Sequence, residues 1–362
     1  MPSFEARCTL AALCALAAGA TASRAEAQQA QGFAVERLYP SAPGGGWFVM
    51  DDLAMRGGLG GAASLSGGYA SSPLRITSGA QRLSVVSGEA FATVSLAATY
   101  DRFRLYLDLT SPLLIQGDTG TIGGTSYAGP SVDAGKVPDL ISDVRVGFDA
   151  RIVGDPKGRF RLGAGAQLII PNGNQADYDT DGTFRAMGRV LVAGDVGWLT
   201  YAGHVGVHVR PLDASPTPGG PDGSELLFGV AAGARLPIGR RRSHALVVGP
   251  EVYGETALRS FFASSATGLE GLLSARIEGT EDDGPQLRFK VGGGAGLIPE
   301  FGAPEWRVVF GIEVFDHNSD RDKDGIPDSK DACPDTPGVK SRDPLRNGCP
   351  AEPPPETPSP PK

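Results

Sequence analysis

Period-two alternation with charges gathered on one of its two faces is the feature that most restricts this chain. In a strand, successive side chains point to opposite surfaces, so residues two apart share a face. Over 144–152, Val144, Val146, Phe148, Ala150 and Ile152 fall on one face, and Arg145, Gly147, Asp149 and Arg151 on the other. The pattern recurs with Phe160, Leu162, Ala164, Ala166 and Leu168 against Arg161 and Gln167, and with Phe103, Leu105, Leu107 and Leu109 against Arg104 and Asp108. It returns in Trp306, Val308, Phe310, Ile312 and Val314 against Arg307 and Glu313. A soluble sandwich alternates too. Charges of both signs repeating along one face of many strands fit instead the wet or salt-bridged interior of a closed ring.

Twelve such segments are expected, at 57–70, 87–101, 103–116, 139–154, 160–171, 184–196, 198–210, 225–238, 244–256, 267–279, 286–298 and 306–315. Each is about the length a tilted strand needs to cross a bilayer. Their connections alternate in size. Short turns fall at Asp101-Arg102, 155–158, near Gly197, at 239–243 and 280–285; longer polar loops fall at 71–86, 117–138, 172–183, 211–224, 257–266 and 299–305. The fold class predicted for 53–315 is therefore all-β: a transmembrane, antiparallel up-and-down barrel of about twelve strands with both ends on the short-turn side. The 52 glycines and the lack of long helical stripes after residue 30 agree with this. No blade-length repeat points to a propeller. A net charge of −8, with Arg240-Arg241-Arg242 as the one basic cluster, argues against nucleic acid; that trio is expected at a turn tip beside lipid phosphates. The terminal aromatic Phe315 resembles the assembly signal of outer-membrane barrels.

The ends of the chain read differently. Residues 1–27 have the form of a signal peptide: a weakly basic start, an apolar run from Cys8 to Ala20 too short to span a bilayer, and small residues before a cleavage point after Ala27, with Ala22 as the alternative. Cleavage removes Cys8 and Cys14 and leaves Cys333 and Cys349, which should pair in an exported protein and stabilise their segment by about 3 kcal/mol. Residues 28–52 are expected to form an extended periplasmic arm tucked toward the barrel mouth. Residues 351–362, rich in Pro, Glu, Thr and Ser, form a semi-rigid, disordered tail.

Between barrel and tail lies the most specific motif. Asp320, Asp322 and Asp324 alternate before Gly325, followed by Asp328 and Asp331. In a twelve-position loop these occupy positions 1, 3, 5, 9 and 12, with the Ile326 carbonyl at 7, a set suited to Ca²⁺. Pro327 and Cys333-Pro334 exclude the flanking helices of an EF-hand. Together with Gly348-Cys349-Pro350, residues 316–350 resemble a thrombospondin type 3 repeat of the kind found in OmpA-like outer-membrane proteins, where it separates barrel from peptidoglycan-binding domain. That domain does not follow within this chain. The resemblance implies a structural barrel in a Gram-negative outer membrane, Ca²⁺ as cofactor, and a periplasmic C-terminal segment whose tail meets cell wall or a periplasmic protein. Asp335 and Asp343 resemble the second half of the repeat and would add ligands for a second ion.

Other candidates are weaker. Asp177, Asp179 and Asp181 before Gly182 begin like a calcium loop, but Arg185 and Gly188 stand where later ligands belong. His204 and His208 share one strand face and read as lumen polar residues. No His-x-Ser-type or Gly-x-Ser-x-Gly arrangement stands in a strand context, so an enzyme is not expected, and no organic cofactor is implied. Beside the structural barrel stand a passive porin, favoured if lumen charges do not pair across the channel, and a surface adhesin acting through the long loops.

Overall fold

A computed structural model describes residues 28–30, 32–55, 58–137, 139–212, 223–240, 243–263, 266–279, 284–298, 302–317 and 320–351. Residues 1–27, expected as a signal peptide, Arg241, Arg242, most of the 211–224 loop and all but the first residue of the expected tail lie outside them. The strands are β1 (Gln28–Gln29), β2 (Leu59–Ser78), β3 (Gln81–Tyr100), β4 (Phe103–Gln116), β5 (Gly120–Ile122), β6 (Thr125–Tyr127), β7 (Val144–Val153), β8 (Arg161–Ile170) and β9 (Arg185–Val196). They continue with β10 (Leu199–Val209), β11 (Glu225–Ile238), β12 (His244–Ala257), β13 (Thr267–Gly279), β14 (Gly284–Ile298) and β15 (Trp306–His317).

Twelve of these, β2–β4 and β7–β15, close into a barrel in which every neighbour is antiparallel. The seam joins β15 to β2, from Trp306 opposite Ser71 to Asp316 opposite Gly61. Closure pairs the backbone of every barrel strand on both sides, the condition for placing strands in hydrocarbon.

The two faces are the inverse of a soluble protein's. Leu105, Ile152 and Phe310 are 56%, 57% and 57% exposed, whereas Arg104, Asp149, Arg307 and Glu313 are 2% exposed or less. Apolar side chains thus form the outside and charges the inside, which decides between barrel and sandwich. Aromatic rings gather toward the rims: Trp306 against Tyr69 with centroids 5.3 Å apart, and Phe103 stacked on Phe148 at 5.9 Å.

Two expectations need correction. The predicted loop 71–86 is strand: β2 runs on to Ser78 and β3 starts at Gln81, with Gly79 at a φ of 60° in the turn. Its Ser, Gly and Pro content looks like a loop, but Leu74, Ile76, Val85 and Val86 are buried against Ile115, Ile122, Tyr127 and Tyr178. Pro73, which lacks a ladder donor, falls where the register shifts between Ser71 and Leu74.

The second correction concerns residues 28–52, expected as a periplasmic arm. β1 pairs in parallel with β6, inside the β4–β7 connection at the long-loop end. From there the chain enters the barrel, and Phe33, Val35, Leu38, Trp47, Phe48, Val49, Met50, Leu53 and Met55 are all buried. These apolar residues find in the lumen the cover that a solvated arm could not give them.

Candidate functional site: a filled lumen and an acidic loop

The inward segment is held to the barrel wall along its length. Near the long-loop mouth, Ala34 N–H donates to Asp181 at 2.9 Å and Val35 N–H to the Tyr178 carbonyl at 2.9 Å. Arg37 donates to Glu255 at 2.7 Å and Glu225 at 3.1 Å, and Arg307 reaches Glu36 at 2.7 Å. Midway, residues 41–52 fold into a hairpin, with Ser41 N–H bonded to the Phe48 carbonyl at 2.8 Å and a bridge between Gly46 and Asp51. Glu251 accepts the amides of Phe48 and Val49 at 3.0 and 2.9 Å. The Arg276 guanidinium covers the Trp47 ring at 4.6 Å, and Lys290 lies 5.1 Å from the Phe48 ring centre. Near the short-turn end, Arg104 bridges Asp51 and Asp149, while Arg151 donates to the carbonyls of Leu53 and Met55.

Wall and segment therefore neutralise each other. Arg145 with Asp108, Arg189 with Asp149, Arg210 with Asp181, and Arg288 and Lys290 with Glu313 are further buried pairs. A buried charge without a partner costs several kcal/mol, so pairing is what allows so many to remain inside.

Sequence reasoning missed the segment, yet a signal existed in the inward glycines. A Cβ at Gly229 would lie 2.3 Å from Met50 Cε, at Gly233 2.7 Å from the Trp47 ring, and at Gly292 3.1 Å from the Phe48 ring. Small residues at lumen positions, opposite an apolar run with no other cover, mark where a second layer must fit.

The acidic loop has the opposite chemistry. One carboxylate oxygen from each of Asp320, Asp322 and Asp324 lies within 4.8 Å of the other two. Lys323 and Gly325 take positive φ of 65° and 85°, folding the loop around this point. Gly325 N–H donates to Asp320 at 3.0 Å and Ile326 N–H to Asp324 at 2.8 Å, leaving other oxygens aimed inward. Asp320 Oδ1, Asp322 Oδ2 and Asp331 Oδ2 are buried with no hydrogen-bond donor among the described residues. Burial, and then the like charges of Asp324, Asp331 and Asp320, push the Asp322 carboxyl above its ordinary range, partly offset by the Asp324 amide. Orphaned oxygens around a like-charge cluster fit a hard divalent cation.

Asp328, expected at position 9, turns elsewhere: Arg321 N–H and its guanidinium occupy the two Asp328 oxygens at 3.0 and 2.9 Å. Cys333 and Cys349 form a disulfide with Cα atoms 4.9 Å apart, and the Val339 amide and carbonyl bond across it to Cys349 and Gly348 at 3.1 Å each.

The remaining candidates are not gathered into sites. Asp335 pairs with Arg321 at 2.9 Å, while Asp343 accepts the Leu345 amide at 3.0 Å, so each has its own local partner. Asp177 accepts from Ser131 N–H, Asp179 from Asn174 N–H, and Asp181 from Arg210 and Ala34, so these carboxylates point to three different partners instead of one ion. Burial raises the Asp179 carboxyl to about 7. His204 and His208 face the lumen, as read from the strand. The fold brings Glu225 and Glu255 within 3.4 and 3.2 Å of His208, but Arg37 and Arg210 already supply the positive charge there.

No family model matches the chain, and no curated protein is similar to it. Among solved structures it resembles an outer-membrane channel from Pseudomonas putida F1, at 10% identity over 71% of this chain and 94% of that one, with a TM-score of 0.44. It also resembles the β domain of the Bordetella autotransporter BrkA, at 13% identity over 71% and 99%, with a TM-score of 0.38. Salmonella typhi OmpF in complex with daunomycin follows at 9% over 71% and 97%, with a TM-score of 0.32. These likenesses concern architecture only. The closed twelve-strand ring with its apolar exterior is of the outer-membrane type.

Proposed function

We propose that this protein is a sealed structural barrel of the Gram-negative outer membrane, OmpA-like in kind, whose C-terminal segment binds Ca²⁺ on the periplasmic side. The observation that carries the reading is the lumen filled by residues 33–55 and stitched by ion pairs to opposite walls. A passive porin needs an open lumen, and the pairing across this one favours a closed anchor.

The short-turn side is the periplasmic one by the usual asymmetry of such barrels. The C-terminal segment leaves the barrel on that side, and Lys323 lies 3.9 Å from Asp101 in the β3–β4 turn. Asp320, Asp322, Asp324 and Asp331 would hold the ion, which would cancel their mutual repulsion and stiffen the stalk between barrel and tail. An exposed loop without a helical frame fits a Kd of about 10⁻⁴ to 10⁻³ M. The tail would then meet cell wall or a periplasmic protein at a fixed distance.

Planar-bilayer recording of the full-length protein tests the seal. No steady open level is expected, and a persistent ohmic level at low voltage overturns the closed reading. Calorimetric titration of the same protein in detergent tests the ion. Saturable Ca²⁺ binding in the millimolar range is expected, and its absence with the disulfide formed rejects the calcium role.

A further inference from the structure

The path of the N-terminal segment has a direction. Gln28 and Gln29 lie beside Thr125 and Ser126, with Ala30 N–H bonded to the Ser126 carbonyl at 2.8 Å, in the long β4–β7 connection. Phe33 stands edge-on to Tyr178, centroids 6.0 Å apart, in the long β8–β9 loop. Arg37 meets Glu225 at the first residue of β11 and Glu255 near the last of β12, both still at the long-loop end. Trp47 to Met50 lie at mid-barrel against Glu251, Ala231 and Val247. Leu53 and Met55 are bonded by Arg151, three residues before Gly154 in the short β7–β8 turn, and β2 then starts at Leu59 opposite Tyr100, at the same end. Apart from the 41–52 hairpin, the chain crosses the barrel once, from the long-loop mouth to the short-turn mouth.

We infer that the barrel is a conduit for its own chain, and that Gln28 and Gln29 are delivered through the lumen to the cell surface. An arm laid against the periplasmic rim would place Gln28 and Leu59 at one end. Here they stand at opposite ends, with buried ion pairs toward each mouth and the Glu251 hydrogen bonds to Phe48 and Val49 between them. Reaching the sheet of β1, β6 and β5 from the periplasm requires Gln28, Gln29 and Ala30 to travel the full height of the barrel within its wall. The same pairs that seal the lumen then hold the segment in place.

The surface assignment rests on the orientation proposed above, so the experiment separates the two. A short epitope is inserted directly before Gln28 in the full-length protein, and in two control variants into the 79–80 turn or the 155–158 turn. Antibody binding is compared between intact and permeabilised cells expressing each variant. The expected result is detection of the Gln28 and 79–80 epitopes on intact cells, with the 155–158 epitope revealed only by permeabilisation. If the Gln28 epitope behaves like the 155–158 epitope while the controls behave as stated, the conduit is overturned. If the controls are reversed and the Gln28 epitope still follows the 79–80 epitope, the orientation is wrong, Gln28 lies in the periplasm, and delivery to the surface is overturned together with that orientation. Because an epitope could itself block passage, an untagged Gln29→Cys, Ser126→Cys variant provides a second reading. An intrachain 29–126 disulfide, identified by mass spectrometry in heat-modifiable barrels, is expected, and its absence in such barrels counts against the conduit.

Discussion

Carboxylates crowd two regions of this molecule, the barrel lumen and the loop at 320–331, and are treated in opposite ways. In the lumen each cluster comes with its own cations: Arg104 lies between Asp51 and Asp149, Arg37 between Glu225 and Glu255, and Lys290 against Glu313. In the loop, Asp320, Asp322 and Asp324 cluster with no cationic side chain paired to them among the described residues, and the basic side chains nearby turn outward, Arg321 to Asp328 and Lys323 toward Asp101. Where the chain supplies the positive charge, the carboxylates are neutralised within the fold. Where it withholds the charge, they face one another with only the solvent to offer a counter-ion.

The contrast can be broken most severely from the lumen side. Replacing residues 44–52 with a Gly/Ser stretch of equal length removes Trp47, Phe48, Met50 and Asp51 from the centre of the barrel. A steady open conductance level, absent from the parent protein, is expected in planar bilayers, with heat-modifiable gel migration showing that the barrel still folds. Next comes Arg104→Ala, which leaves Asp51 and Asp149 facing each other without their shared cation. A loss of about 3–5 kcal/mol is expected for breaking a buried ionic cluster, read by denaturant unfolding in detergent. The corresponding loss of charge in the loop, Asp322→Asn, should relieve the repulsion among its carboxylates and cost the ion-free protein no stability, while weakening Ca²⁺ binding in calorimetry. Equal destabilisation by the two substitutions would erase the distinction.

Smaller effects sharpen it. Changing both Cys333 and Cys349 to Ser should cost the C-terminal segment about 3 kcal/mol, seen as faster proteolysis between 320 and 349, with barrel unfolding unchanged. At the long-loop mouth, burial raises Asp179 to about 7. A folded-state value above the unfolded one means that this group's stabilising contribution is complete below the unfolded value and is lost as pH rises through about 7. Amide exchange over 172–183, corrected for intrinsic rate, should therefore accelerate from pH 5 to pH 8, and Asp179→Asn should flatten that trend. The smallest effect belongs to Asp322, also raised. The ion-free loop should loosen as pH rises through the Asp322 folded value, and millimolar Ca²⁺ should abolish that dependence, as judged by protease sensitivity at fixed temperature.

Most of the barrel was legible because its signal is local. From Phe103 to Phe315, strand positions follow alternation that a reader can count, and the charged face gave away the interior even though it inverts the soluble rule. The clustering of Asp320, Asp322 and Asp324 was legible for the same reason, whereas the capture of Asp328 by Arg321 depends on the loop's final conformation. What could not be read locally was the partner of residues 33–55. Trp47 needs Arg276 and Gly233, and Arg37 needs Glu225 and Glu255, all about two hundred residues away. The same applies to 71–86, where Ser, Gly and Pro outweigh the five large apolar residues until Phe33 and Val35 arrive to cover them.

The extended β2–β3 hairpin gives the protein an asymmetric silhouette. Twenty residues per strand, at about 3.4 Å each and tilted by about 40°, span roughly 50 Å along the membrane normal, about twice the height of the apolar band. One side of the long-loop mouth therefore stands as a mast. Pairing with β15 ends at Ser71, so residues 72–78 of β2 rise beyond that neighbour. Arg75 and Arg82 are clipped there to Glu305, whose carboxyl their hydrogen bonds hold below its ordinary range. Charges at that point face any second sheet sliding alongside. The mast is built to stand alone in a crowded membrane.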